Sequence, residues 1–192
     1  EKPSSKEELR MRSIVDRVRE IADRNDKVLA VSKNMIGKKQ HSYDMGKGLG
    51  YSASGGAALA EAVVGAFDLN DLLDDRKKVS TIARRLAGSA ARSSAGGFAR
   101  WYASEIDEKS YAEQIAGPES IPDFRMVIYP IKETSGLKTE LAHPEVETSP
   151  LFKGRLSYIN SALDEMTDAL NEKNVEKILK EAIEKTDILT KR

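Results

Sequence analysis

Three apolar stripes at helical spacing constrain the fold of this chain more than any other feature. They run over Glu7–Asn25, Leu151–Leu170 and Asn174–Leu189, and charged residues separate the apolar positions in each. This periodicity predicts amphipathic helices that bury one face. The last two helices need a partner surface, which we expect segments outside this chain to complete.

Strand-like segments are few and do not alternate regularly with helices. Lys27–Ser32 and Phe124–Pro130 are short and rich in β-branched or aromatic residues, which predicts two strands. Ala57–Phe67 and Asp71–Leu86 are predicted to be further helices. The pattern favours an α+β fold over a doubly wound sheet. The best candidate for a domain boundary is the proline-flanked segment Pro118–Pro122.

Charge and composition exclude several classes of function. The 192 residues carry 31 basic and 31 acidic side chains, so no global field attracts nucleic acid or an anionic membrane. The chain has no cysteine, and His41 and His143 are widely separated, so we predict no metal site. No apolar run is long enough to span a bilayer, and the first residues lack the apolar core of a signal peptide. We expect a cytoplasmic protein.

A glycine-rich segment, Gly46–Gly56, leads into a predicted helix. Glycine lets the backbone approach an anion closely, and the amides and dipole of a helix start favour phosphate. No Gly-Lys-Ser/Thr closes the segment, so it is not a Walker A loop. The alternative is a flexible surface loop before a tightly packed helix. The candidate phosphate-binding residues are Lys47, Gly48, Gly50, Ser52 and Ser54, with Lys38 and Lys39 adding positive charge.

A second segment of small residues, Ala83–Phe98, surrounds Arg92 with alanine, glycine and serine. The planar guanidinium of arginine suits a carboxylate or a phosphate, and small neighbours let a ligand reach it. The alternative is close helix packing with Arg92 as a surface charge.

Three ordered stretches resemble one known family. Gly48–Gly55 is similar to the phosphate loop of the diphosphomevalonate decarboxylases, which are related to the GHMP kinases. Ser80–Phe98 is similar to their substrate-binding arginine segment, and Val146–Arg155 to the start of their long helix. Met166–Leu170 looks most like archaeal members.

The resemblance implies a GHMP-like fold of which this chain is an incomplete portion. Residues 1–117 would be the rest of the N-terminal domain with its phosphate loop. Residues 118–192 would start the C-terminal domain with a strand and two helices. The family's N-terminal strands and its C-terminal aspartate motif have no counterpart in the sequence, so we expect a longer enzyme and assign no catalytic residue.

The function implied by the resemblance is that of a carboxy-lyase in the mevalonate pathway of isoprenoid biosynthesis. Most members use ATP to phosphorylate a tertiary 3-hydroxyl, after which the phosphate leaves and carbon dioxide follows. Arg92 would hold the carboxylate or the 5-phosphate end of the substrate, assisted by Ser89 and Ser93. The partner would be a small mevalonate phosphate, and relatives are often homodimers.

Departures from the family pattern bear on the use of ATP. Asp44 stands where the family usually has proline, Tyr51 replaces a serine, and Leu86 and Ala87 replace a glycine and a serine. A carboxylate repels a triphosphate unless a metal bridges them, and a tyrosine ring narrows the space. We therefore expect conversion of mevalonate 3,5-bisphosphate to isopentenyl phosphate without ATP and predict no cofactor. Open alternatives are an ATP- and Mg-dependent diphosphomevalonate or phosphomevalonate decarboxylase, a GHMP-type kinase, and a non-catalytic module.

Overall fold

The computed structural model describes residues 5–24, 50–125, 127 and 148–190. The chain divides into two compact units, Glu1–Gly117 and Pro118–Arg192. The split lies at the first residue of the proline-flanked segment. Helices and a small sheet together give the α+β fold that the sequence predicts.

The described part of the first unit contains five helices and one pair of strands. The predicted helix over Glu7–Asn25 is confirmed, with its last turn ending slightly earlier. In chain order the elements are α1 Ser5–Ala22, α2 Tyr51–Ala66, α3 Asn70–Asp74, α4 Arg76–Ala83, α5 Ala90–Ala95, β1 Phe98–Tyr102 and β2 Tyr111–Ala116, with a 3-10 turn over Asp107–Lys109.

The core of the first unit forms where α1, α2 and α4 meet. Ile14 and Val18 lie one helical turn apart on α1 and are fully buried, whereas Leu9 and Ile21 of the same stripe are exposed. Small and β-branched residues let the helices approach closely. The buried cluster consists of Ile14, Val18, Ala60, Val63, Val64, Phe67, Val79, Ile82, Ala83 and Ala90.

The helix predicted over Ala57–Phe67 begins six residues earlier, at Tyr51. The second half of the glycine-rich segment is therefore helix rather than loop. Gly50 precedes it with φ of +70°, a left-handed conformation that glycine adopts without strain. The segment turns at Gly50 and enters α2 at once.

The prediction of a single helix over Asp71–Leu86 is wrong, because the helix is interrupted at Asp75. Asp75 has φ of −88° and ψ of 83°, outside the helical region. Its carboxylate accepts a hydrogen bond from the Lys78 amide at 3.1 Å and so caps α4. Aspartate is among the preferred residues for this position.

Strands β1 and β2 form an antiparallel hairpin that the sequence analysis missed. Trp101 pairs with Ala112, and Tyr102 pairs with Tyr111. Of the strand predicted over Phe124–Pro130, the described residues 124, 125 and 127 are not in a strand, and the others lie outside the described residues. The predicted strand Lys27–Ser32 also lies outside them.

The described part of the second unit contains a 3-10 turn at Pro118–Ser120 and two α-helices, α6 Phe152–Asn171 and α7 Val175–Thr190. These two α-helices confirm the two predicted helices. Lys173 turns the chain between them with φ of +54°, and the Asn174 side chain accepts from the Lys177 amide at the start of α7. Buried residues include Ala162, Ala169, Leu170 and Ile178. None of the described helices combines the length and apolar character that a bilayer crossing needs.

Candidate functional site

The N-terminus of α2 is the described part of the predicted phosphate loop. No side chain caps it, and no acidic residue lies in its first turn. The first helical backbone bond runs from the Ser54 amide to the Gly50 carbonyl, at 2.9 Å. Because the helix geometry gives the amides of Ser52 and Ala53 no acceptor inside the helix, this end of α2 can donate to an anion.

The two serines of this turn differ in whether their hydroxyl groups are available to a ligand. Ser52 is exposed. Ser54 is half-buried, and its hydroxyl donates to the Tyr51 carbonyl at 3.2 Å, so its proton is already engaged. The other predicted phosphate-binding residues, Lys47 and Gly48, lie outside the described residues, as do Lys38, Lys39 and Asp44.

The second predicted segment folds as a turn followed by the short helix α5. Ser89 is half-buried at the N-terminus of α5, while Arg92 and Ser93 are exposed. The opposite side of the helix is buried, and there the Ser94 hydroxyl donates to the Ala90 carbonyl at 3.1 Å. This arrangement presents the Arg92 side chain to solvent, where a ligand can reach it.

A glycine–alanine contact joins the two predicted segments. A Cβ on Gly56 would lie 2.8 Å from the Ala90 Cβ and 3.3 Å from the Leu86 Cβ, so α2 and the start of α5 touch here. Gly56 is five residues into α2, or about 8 Å along the helix from Tyr51. The contact with Ala90 therefore lies more than one turn from the uncapped end of α2.

The carboxylate of Asp107, which the sequence did not indicate as important, forms ion pairs with three arginines. Asp107 contacts Arg84, Arg85 and Arg17, the last two at 3.1 Å and 3.3 Å. Arg17 lies on α1, and Arg84 and Arg85 directly follow α4, whereas Asp107 lies in the turn after β1. Arg84 and Arg85 thus anchor the segment that leads to Arg92. An isolated aspartate in a polar turn has no pattern that would have revealed this role.

A second charged cluster lies on the hairpin. Glu113 of β2 pairs with Lys77 of α4, and the hydrogen bond from Lys77 holds the pKa of Glu113 below its ordinary value. Burial raises the pKa of the Tyr102 hydroxyl on the neighbouring strand. The Lys77 ammonium also lies 4.9 Å from the centre of the Tyr111 ring. These contacts fix α4 against the hairpin.

A cavity of about 600 Å³ lies between α3, the start of α4 and β2. Four carboxylates line it, which disfavours an anionic ligand. In the described part of the chain, no group of three or more carboxylate or histidine side chains is arranged to hold a metal ion. The residues that line the cavity are Asp71, Asp74, Asp75, Arg76, Lys77, Ala95, Glu113 and Gln114.

Comparison with known proteins gives results that agree with one another. Residues 1–112 match the model of the diphosphomevalonate decarboxylase-like N-terminal domain. A phosphomevalonate decarboxylase from Haloferax volcanii is 37% identical over 161 residues, which cover 84% of this chain and 46% of the relative. A diphosphomevalonate decarboxylase from Aspergillus fumigatus is 33% identical over 129 residues, covering 62% of this chain and 30% of the relative.

A solved structure shares the fold. The mevalonate diphosphate decarboxylase from Staphylococcus aureus superposes with a TM-score of 0.65 at 25% identity, over 93% of this chain and 51% of that structure. The chain thus spans about half the length of the first relatives it matches. The domain match covers more than half of the chain. The chain belongs to the diphosphomevalonate decarboxylase-like family.

Proposed function

We propose that the protein containing this chain is a carboxy-lyase that decarboxylates a phosphorylated mevalonate in isoprenoid biosynthesis. The observation that carries the proposal is the contact between Gly56 and Ala90. It joins α2, whose N-terminus has no side-chain cap, to the segment that exposes Arg92. A cytoplasmic location, expected from the sequence, and a homodimer, which only the family resemblance suggests, belong to the same proposal.

The donors of this region suit the substrate class. A mevalonate phosphate carries a carboxylate and one or more phosphates, so it needs separate anion-binding groups. The first-turn amides of α2 fit a phosphate, and the guanidinium of Arg92 fits a carboxylate or a second phosphate. Ser89 and Ser93 flank Arg92 and would add hydroxyl donors.

The proposed reaction balances without a redox partner. The C3–O bond to the leaving phosphate breaks, the electron pair of the C1–C2 bond becomes the C2=C3 double bond, and C1 leaves as carbon dioxide. From mevalonate 3,5-bisphosphate the products are isopentenyl phosphate, inorganic phosphate and carbon dioxide. Donors held in place around the leaving phosphate would stabilise the charge that it gains in the transition state.

We propose further that the phosphate at C3 arrives with the substrate rather than from ATP. Tyr51 is half-buried as the first residue of α2, where a nucleotide phosphate would have to approach. The amide donors themselves fit a phosphate from either source. The alternative is therefore an ATP- and Mg-dependent decarboxylase in which Tyr51 moves aside.

The test uses the full-length protein and three substrates: mevalonate 5-phosphate, mevalonate 5-diphosphate and mevalonate 3,5-bisphosphate, each with and without Mg-ATP. We expect carbon dioxide from the 3,5-bisphosphate without ATP. Release that requires ATP supports the alternative decarboxylase. Formation of ADP without carbon dioxide supports a GHMP-type kinase, and an absence of both turnover and binding supports a non-catalytic module.

Calorimetry with Mg-ATP tests the nucleotide directly. We expect no saturable heat of binding at cellular ATP concentrations. Clear saturable binding would overturn the ATP-independent version and leave the decarboxylase assignment intact.

A further inference from the structure

Trp101 packs directly against the segment that carries the predicted substrate-binding residues. A Cβ on Gly88 would lie 2.9 Å from Cη2 and 3.2 Å from Cζ3 of the Trp101 ring. These distances leave no room for a side chain at residue 88. The ring of Trp101 therefore sets how closely the backbone before Ser89 can approach the hairpin.

Two sets of contacts hold the ring in place. Its Nε1 donates to the Ser110 hydroxyl at 3.3 Å, and Ser110 is only 2% exposed. The ring also packs on the small cluster of Ala91, Ala95 and Ala112, together with Ala99. Trp101 is thus fixed from the hairpin side and touches both the turn at Gly88 and the buried face of α5.

The segment itself has little conformational stability of its own. Helix α5 has six residues, fewer than an isolated helix needs. The turn before it is held by short-range backbone bonds, from the Ala90 amide to the Ala87 carbonyl at 2.8 Å and from the Arg92 amide to the Ser89 carbonyl at 3.2 Å. Its position must come from tertiary contacts, which include Gly56 of α2 on one side, Trp101 on the other, and the pairs that Arg84 and Arg85 form with Asp107 just before it.

We propose that Trp101 is a positioning residue. Acting through Gly88, its ring places Ser89 and Arg92 where they can bind an anionic substrate. The identity of that substrate rests on the function proposed above, whereas the ordering of residues 88–93 does not. No ligand needs to touch Trp101 for this role.

The test is a complementary pair of substitutions in the full-length protein. Trp101→Phe shortens the ring and leaves space beside Gly88, while Gly88→Ala forces a methyl group against the intact ring. We expect each single change to raise KM about tenfold and to alter kcat less than about threefold, as for lost substrate placement. In the double variant the methyl group occupies the space that the shorter ring leaves, so KM should return to within about threefold of wild type.

Two matched controls separate placement from general destabilisation. Gly65→Ala adds a methyl group to α2 where the nearest atom, Leu73 Cδ1, is 4.0 Å away. Ile14→Val weakens the main core at a fully buried position on α1. Both controls should keep the wild-type KM, whatever they do to Tm. An equal rise in KM in the controls would overturn the inference.

Amide hydrogen exchange tests the ordering without any turnover. Exchange over residues 88–93 should quicken about tenfold or more in each single variant, recover in the double variant and stay unchanged in α1. Unchanged exchange over 88–93, or equal quickening everywhere, would overturn the inference. So would local quickening without any change in KM in an active enzyme. If the wild type turns over none of the three substrates, the proposed function fails, and hydrogen exchange still decides the role of Trp101.

Discussion

At the scale of single residues, the arginines of the Ala83–Phe98 segment divide into two groups. Arg84 and Arg85 are committed to Asp107, with side chains about a fifth and a third exposed. Arg92 is exposed on the surface of α5. The geometry therefore favours Arg92 over its neighbours as the arginine that meets a ligand.

We predict that Arg92→Ala lowers kcat/KM of the full-length enzyme by a factor equivalent to about 2–4 kcal/mol, the range for a lost contact with a charged group. Arg92→Lys should restore little, because the ammonium lacks the planar fork of the guanidinium. Steady-state kinetics with the active substrate measures both effects.

The control for Arg92 is Arg12→Ala. Arg12 is an exposed arginine on α1 whose guanidinium pairs with Glu8 one turn away. Its removal should leave kcat/KM unchanged. A near-normal kcat/KM in Arg92→Ala would mean that Arg92 is only a surface charge.

At the scale of elements, the contact between α2 and α5 depends on a glycine that has no room for a side chain. Gly55 and Gly56 are adjacent on α2 but face different surroundings. A Cβ on Gly55 would meet no atom within 4 Å, whereas one on Gly56 would clash with Ala90. The pair provides a test in which the same chemical change should have opposite effects.

We predict that Gly56→Ala lowers the free energy of unfolding by about 1–3 kcal/mol, because α2 and α5 must move apart. Gly55→Ala should raise it by about 0.5–1 kcal/mol, because alanine loses less conformational entropy in a helix. Urea denaturation of the full-length variants measures both values. Equal effects of the two substitutions would show that the helices do not touch at Gly56.

The start of α4 should depend on pH through Asp75. The hydrogen bond from the Lys78 amide lowers the pKa of Asp75 in the folded protein. A carboxyl group with a lowered pKa stabilises the fold above its unfolded pKa, near 3.9, and this contribution is lost as the pH falls through the folded value. The cap should therefore be fully effective at neutral pH and fail in acid.

We predict that Asp75→Ala costs about 1 kcal/mol at pH 7, as for other lost helix caps. Asp75→Asn keeps a capping oxygen but does not titrate. The stability difference between wild type and Asp75→Asn should therefore change as the pH is lowered from 5 to 3, with wild type losing more. Urea denaturation across this range measures the difference, and parallel curves would rule out Asp75 as the titrating cap.

At the scale of the whole molecule, the second unit leaves an apolar surface exposed. Leu156 of α6 and Val175, Leu179 and Ile183 of α7 are between 44% and 61% exposed. Apolar residues at helical spacing on a free surface favour association. The chain also spans about half the length of relatives such as the one from Haloferax volcanii.

We predict that the 192-residue chain, expressed by itself, is expanded or aggregates, and that a longer form of the protein does not. Leu179→Glu with Ile183→Glu should improve the solubility of the isolated chain. If further segments cover these residues, the same pair should destabilise the longer form. Light scattering and calorimetry measure the two effects, and a compact, cooperatively unfolding isolated chain would contradict the prediction.

Local sequence patterns were sufficient to predict the long helices α1, α6 and α7. α1, α6 and α7 each repeat apolar residues at the spacing of one helical turn, and such a pattern depends on near neighbours in the chain. The two small-residue segments that carry Ser52 and Arg92 also stood out, because each combines glycine and serine with a basic residue, Lys47 in one and Arg92 in the other. Asp75 is also a local signal, because aspartate favours a helix N-cap. The apolar residues on both sides of it keep helical spacing, so the interruption between α3 and α4 was not predicted.

Contacts between distant parts of the chain determined the features that the sequence did not predict, among them the ion pairs of Asp107 and the β1–β2 hairpin. Nothing near Asp107 indicates that Arg17, ninety residues earlier, will pair with it. The hairpin of β1 and β2 is stabilised by cross-strand partners and by α4 and α5 beneath it, so its short segments carry a weak signal. The sequence by itself determined which residues suit an anion, since that follows from side-chain chemistry. Only the tertiary structure brought α2 and α5 together at Gly56 and Ala90, because packing depends on space that local sequence does not encode.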